Sequence, residues 1–276
     1  MSVIVNDRRT YPAGVPSWVD LEQPDPDRAA EFYAALFGWD FHDAMPPDLP
    51  GSYLIATLGG HDVAGLTVGD GSAPGWNTYV ACDDADATAR SVEDAGGRVL
   101  RSPVDAGPGG RWAECADPDG AVFRLWQARR RLGAQLANVP GAWNFSDLLT
   151  PDPTAAIEFY RRVFGWQIDR GAAAGMIRLP GYGDHLEATI DPKIRERQAF
   201  APPGFADVVA GVVADDGPPR WHLRFTVADR DAAAEAATAN GGELLSSADT
   251  QWTREALIRD PQGAELTLSQ FAPPDQ

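Results

Sequence analysis

An α+β fold of two tandem domains, each built by internal repetition, is what this sequence predicts, and three alignments carry that expectation. The stretch AEFYAALFGW, Ala30 to Trp39, returns as IEFYRRVFGW, Ile157 to Trp166, with six of ten positions identical and an offset of 127 residues. HDVAGLTVGDGSAPGWNTYVACDDADATARSVEDAGGRVL in the first half aligns with ADVVAGVVADDGPPRWHLRFTVADRDAAAEAATANGGELL in the second. ADPDGAVFRLWQ then aligns with RDPQGAELTLSQ. Each half reads as strand–helix–three strands, twice over. The 276 residues suffice for two ordinary domains, each with a sizeable core.

The elements follow in order. SWVDLEQPDPDRA and NFSDLLTPDPTAA each read as a short strand running into a helix. Asp25 and Asp152 are natural N-caps, and Pro26 and Pro153 suit the first helical position, where no amide is needed. Ala29, Tyr33, Leu36 and Phe37 recur at helical spacing, as do Ala156, Tyr160, Val163 and Phe164. Gly38 and Gly165 end these helices in the left-handed conformation. The aromatic rings are expected to anchor a helix on a sheet. The second helix of each half ends at Gly96-Gly97 and Gly241-Gly242, and the turns DPDG and DPQG join the last two strands. The expected domains are 12–128 and 139–272, joined by a linker at 129–138 (RRRLGAQLAN). The halves differ in one place. Trp39 to Val63 spans 24 residues and Trp166 to Val209 spans 43, an insertion of 19 with its distinctive part near 181–204. Asp191-Pro192 reads as the start of a short helix through KIRERQ. Such insertions are often lids or binding loops, and Tyr182, Asp184, His185, Arg195 and Arg197 are its candidate contacts; surface decoration or a dimer contact is the alternative.

Net charge is −17, which repels phosphate backbones and argues against nucleic-acid partners. No run of about 18 apolar residues occurs, so no membrane span is expected. MSVIVNDRRTYPAG lacks the pattern of a signal peptide, and the expected compartment is the cytoplasm. Cys82 and Cys115 are expected to be reduced core residues, because two cysteines neither make a disulfide scaffold nor match a zinc spacing.

Paired strand–helix–three-strand modules, FY…FGW helices and DP(D/Q)G hairpins resemble the vicinal oxygen chelate superfamily, which includes glyoxalase, bleomycin-resistance and extradiol-dioxygenase proteins. The resemblance runs from about Pro16 to Phe271 and implies that each mixed sheet curls into a cup, with helices outside and ligand inside. It implies metal-ligand positions in metal-using relatives on the first strand, on the strand after the crossover and on the last strand. These fall on Trp18, Asn77 and Arg124 in one half and on Phe145, His222 and Thr267 in the other. Of the six only His222 is a competent ligand, so neither a metal nor another cofactor is expected.

Strand alternation separates two faces. Val19, Leu21, Val80, Cys82, Phe123 and Leu125 should pack under helices in the first half. Leu148, Leu223, Phe225, Val227, Leu266 and Leu268 should do so in the second. The opposite face holds Trp18, Asp20, Asn77, Tyr79, Arg124 and Trp126, then Phe145, Asp147, His222, Arg224, Glu265, Thr267 and Ser269. Apolar walls with a few polar groups suit a ligand pocket; a domain–domain interface or structural ion pairs, such as Asp20 with Arg124, are the alternative. The expected ligand contacts are Trp18, Asp20, Asn77, Tyr79, Arg124, Trp126, Arg224, Tyr182 and Arg195. His222, paired with Asp147 or Glu265, is the candidate acid–base group. His61, His185 and His42 fall on loops or strand edges. Three functions compete. The first is metal-free binding of a small, partly aromatic molecule, by a monomer or homodimer. The second is a metal-independent isomerase, cyclase or lyase of secondary metabolism. The third is a metal-dependent glyoxalase or dioxygenase.

Overall fold

The computed structural model describes residues 9–45, 51–69, 74–168 and 175–273. Four strand–helix–three-strand modules succeed one another. The first is β1 (Pro16–Gln23), α1 (Pro26–Phe37), β2 (Asp40–Asp43), β3 (Tyr53–Leu58) and β4 (His61–Val68). The second is β5 (Gly75–Ala81), α2 (Ala85–Asp94), β6 (Arg98–Asp105), β7 (Gly110–Ala116) and β8 (Val122–Ala128). The third is β9 (Trp143–Thr150), α3 (Pro153–Phe164), β10 (Gln167–Ile168) and β11 (Met176–Arg178). The inserted helices α4 (Tyr182–Thr189) and α5 (Ile194–Arg197) follow, and then β12 (Val208–Ala214). The fourth is β13 (Arg220–Thr226), α6 (Arg230–Ala239), β14 (Glu243–Asp249), β15 (Thr253–Arg259) and β16 (Glu265–Phe271). The strands form two eight-stranded mixed sheets in the same order, β2-β3-β4-β1-β5-β8-β7-β6 and β10-β11-β12-β9-β13-β16-β15-β14.

The predicted helix signals hold. The Asp25 carboxylate accepts from the Arg28 amide, and Asp152 accepts from the amides of Thr154 and Ala155. Gly38 and Gly165 close the helices at φ 72° and 76°, where a side chain would be strained.

Packing divides the chain into two compact units, each drawing on both halves of the sequence. The first comprises Met1–Trp18, Thr78–Gly133 and Ser146–Trp221; the second comprises Val19–Asn77, Ala134–Phe145 and His222–Gln276. In the first unit Val80, Phe123, Leu125 and Leu148 lie buried beneath α2 and α3. In the second, Val19, Leu21, Leu223, Phe225, Leu266 and Leu268 lie beneath α1 and α6. The residues that alternation sends under the helices are there, and the two cysteines are free and buried in the first unit.

The recurring aromatics hold each unit together by joining distant parts of the sequence. In the first unit the Tyr160 hydroxyl donates to Asp117 Oδ2 (3.2 Å) and accepts from Trp221 Nε1 (3.1 Å). In the second the Tyr33 hydroxyl donates to Asp260 Oδ2 (2.9 Å) and accepts from Trp76 Nε1 (3.3 Å). Asp117 and Asp260 are the leading residues of the DPDG and DPQG turns. Each carboxylate also accepts three turn amides, those of Asp119, Gly120 and Ala121 and those of Gln262, Gly263 and Ala264. Trp166 and Trp39 stack on these tyrosines and donate to Gly14 O (2.7 Å) and Gly141 O (2.6 Å). Burial, followed by the facing carboxylates, lifts both phenols well above their ordinary range.

The inserted segment departs from expectation. The helix predicted from Asp191-Pro192 is a single turn that begins at Ile194. Asp191 is nearly buried; its carboxylate accepts the Lys193 amide (3.1 Å) and pairs with Arg197, which closes a turn instead of capping a helix. The longer helix α4 was not anticipated. Tyr182 and Leu186, four residues apart, bury one face of it in the first-unit core. His185 therefore lies on a helix, not on a loop or strand edge. It stacks on Tyr182, with Nε2 3.1 Å from Thr10 O.

Candidate functional site

In the first unit the strand face opposite α2 carries a row of aromatic rings and guanidinium groups. β5, β8 and β7 run side by side, so register sets Tyr79 beside Arg124, Arg124 opposite Glu114, and Trp126 opposite Trp112. Arg124 is only 3% exposed. Its Nε and one terminal nitrogen donate to Glu114 Oε2 (3.0 and 2.8 Å), and the other donates to the Tyr79 hydroxyl (3.1 Å). Its guanidinium carbon also lies 5.0 Å from the Trp112 ring and 5.5 Å from the Tyr79 ring. A charge so deeply placed persists because it is both ion-paired and stacked. Trp126 meets Tyr79 edge to face and donates its indole hydrogen to Arg131 O (2.8 Å). Arg131 in turn covers Trp18, at 5.9 Å. Gly110 is needed here: a Cβ at that position would lie 2.8 Å from the Trp126 ring.

The second unit carries polar groups on its corresponding faces. Asp20 is buried and accepts from the Tyr53 hydroxyl (3.0 Å) and the Asn77 amide (3.0 Å). His222 Nε2 lies 2.8 Å from Thr267 Oγ1. Arg224 pairs with Glu255, which also accepts from Thr253 Oγ1 (2.7 Å). Glu265 is engaged by Arg259 (2.8 Å). Asp147 is buried in the first unit, on β9.

The other expected contacts sit as follows. Tyr182 is a core residue, 7% exposed. Arg195 is on the surface, paired with Asp184 and Glu187 of the same inserted segment. The positions that metal ligands occupy in relatives do not supply a donor set for a divalent ion. Trp18 and Arg124 offer no lone pair, Asn77 donates to Asp20, and Thr267 faces His222. Among the described residues no three His, Cys, Asp or Glu side chains converge as a metal site.

Sequence reading missed Trp112, Glu114, Arg101, Arg131, Tyr53 and Glu255. The signal for the β7 pair was present. Once DPDG is a tight turn, the hairpin register follows, and Trp112 and Glu114 must fall opposite Trp126 and Arg124.

Comparison with known proteins agrees with this architecture. Residues 17–125 match the Glyoxalase/Bleomycin resistance protein/Dioxygenase superfamily, and residues 143–269 match the Glyoxalase-like domain. CFP32 of Mycobacterium tuberculosis, which carries a provisional glyoxylase name, is 37% identical, covering 96% of this chain and 98% of that protein. The anthracycline biosynthesis protein DnrV of Streptomyces peucetius is 33% identical, covering 94% of each. The Mn(II)-bound glyoxalase from Novosphingobium aromaticivorans shares the fold at 17% identity, with a TM-score of 0.60 over 94% of this chain and 82% of that one. The 2,3-dioxygenase LapB from Pseudomonas sp. KL28 shares it at 12% identity, with a TM-score of 0.61 over 97% and 96%. The chain belongs to the glyoxalase/bleomycin resistance/dioxygenase superfamily, with one glyoxalase-like domain in each half of its sequence.

Proposed function

We propose that this protein binds a small, partly aromatic organic molecule without a metal ion, on the first-unit row of Trp18, Tyr79, Trp112, Arg124 and Trp126. The observation that carries the reading is the stacking of a nearly buried guanidinium against two aromatic rings on the face away from the helices. Rings arranged this way give a planar ligand flat and edge contacts, and the fixed polar groups orient it. The similarity to DnrV supports a setting in secondary metabolism, where the natural ligands of such a row would be polycyclic. The donor chemistry described above weighs against a divalent-metal glyoxalase or dioxygenase.

A second reading is a metal-independent tailoring enzyme acting through His222. It draws on the placement of His222 on Thr267, with Arg224 and Glu255 on the same face of β13 and β15. Asp147 and Glu265 are its candidate carboxylates, although Glu265 already serves Arg259. The tryptophans of the row report on both readings. Titration with planar polycyclic aromatics should quench tryptophan fluorescence saturably, and a chelator should leave the affinity unchanged. Mass spectrometry of the ligand afterwards separates binding from turnover. Binding that occurs only when a divalent metal is supplied would contradict the proposal.

A further inference from the structure

The chain is strongly acidic, at −17, yet the first-unit row is lined by arginine. Three guanidinium groups lie over its rings, and they differ in how they are held. Arg124 is neutralised by Glu114. Arg131 covers Trp18, and its carbonyl holds the Trp126 indole. Arg101 is different. It stands on β6, opposite Glu114 in register, and its side chain is exposed. Its guanidinium carbon lies 5.3 Å from the Trp112 ring, so Trp112 has a guanidinium contact from both Arg101 and Arg124. Among the described residues no carboxylate pairs with Arg101, whereas Arg129, just past the end of β8, is tied to Asp105. A cation–π contact at an exposed position is weak, so this guanidinium is available to a better partner.

We infer that Arg101 is a specificity-determining residue that selects ligands bearing an acidic group beside their ring system: a carboxylate or a sulfonate. The inference rests on the reading of the first-unit row as the binding site and adds the charge of the ligand to it. The planar fork of N–H donors matches two oxygens of one acid group, and Trp112 beneath it sets the distance between that group and the stacked rings. In a protein of net charge −17, an exposed arginine stacked on the row favours aromatic molecules that carry an acidic group.

Two fluorescent probes with the same ring skeleton test this: anilinonaphthalene sulfonate, which is anionic, and phenylnaphthylamine, which is neutral. Each is titrated against the wild-type protein, Arg101→Gln, Arg101→Lys and Trp112→Leu at low and at high salt. The expected result is tighter binding of the sulfonate by the wild type. Arg101→Gln should weaken the sulfonate about threefold to fivefold and leave the neutral probe unchanged. Arg101→Lys should recover part of the loss, and salt should shrink the preference. Trp112→Leu should weaken both probes. Equal affinities for both probes, with Arg101→Gln indifferent, would overturn the role of Arg101 and leave the row intact. Failure of both probes to bind, or indifference of both to Trp112→Leu, would overturn the row as a site, and this inference with it.

Discussion

The two units are alike on their helix side and unlike on the opposite face. Beneath the helices the same triad appears twice, Trp221–Tyr160–Asp117 and Trp76–Tyr33–Asp260, at closely matching distances. On the other face, equivalent positions diverge. Where the first unit has Tyr79, Trp112, Arg124 and Trp126, the second has Arg224, Glu255, Thr267 and Ser269. The first unit stacks its arginine deeply between rings, whereas the second holds Arg224 by Glu255 with a quarter of the side chain exposed. Duplication has kept what holds each unit together and varied the opposite face. The divergent face is therefore where function is to be sought.

The largest expected effect tests the shared half of the comparison. Tyr160→Ala and Tyr33→Ala should each cost about 3–5 kcal/mol in chemical denaturation, since each empties a fully buried ring position and removes one hydrogen bond from a buried carboxylate and one from an indole. A large difference between the two would break the equivalence of the triads. Next comes the divergent half. Glu114→Gln should cost about 2–3 kcal/mol, because Arg124 has little access to water. Glu255→Gln should cost about 1 kcal/mol or less, because Arg224 reaches solvent.

A smaller effect concerns alkaline pH. Burial pushes the Cys82 and Cys115 thiols up to about 12, and burial together with Asp117 lifts the Tyr160 phenol. Unfolded thiols and phenols ionise first, from their ordinary values near 9 and 10, while the folded ones keep their protons. The contribution of these groups is thus complete below about pH 9 and is lost as pH rises toward about 12. Both cysteines lie in the first unit, so hydrogen exchange at rising pH should loosen that unit before the second. Simultaneous loosening would remove this distinction between them.

Much of the fold was legible from local chemistry. Asp25, Asp152, Gly38 and Gly165 act within one turn of chain, and strand alternation placed Leu125 and Phe225 beneath their helices without knowledge of the sheet. What stayed hidden depends on distant pairing. Tyr160 meets Asp117 across 43 residues and Tyr33 meets Asp260 across 227, and no periodicity encodes such contacts. The compact units interleave the halves of the sequence for the same reason. On the candidate row, alternation set Tyr79, Arg124 and Trp126 together on the face away from the helices, but Glu114, the ion-pair partner of Arg124, lies on the adjoining strand and was passed over. The helix α4 was missed because a glycine-rich start concealed the four-residue spacing of Tyr182 and Leu186.

The proposed function sets the ligand's rings on the first-unit row and not on the polar face around His222. Calorimetric titration of one planar aromatic ligand against the wild type, Trp126→Leu and His222→Ala, each checked for folding, tests it most directly. Trp126→Leu should weaken binding roughly tenfold, the worth of a lost aromatic contact, while His222→Ala should stay within about twofold of the wild type. Full affinity in Trp126→Leu together with loss in His222→Ala would contradict it.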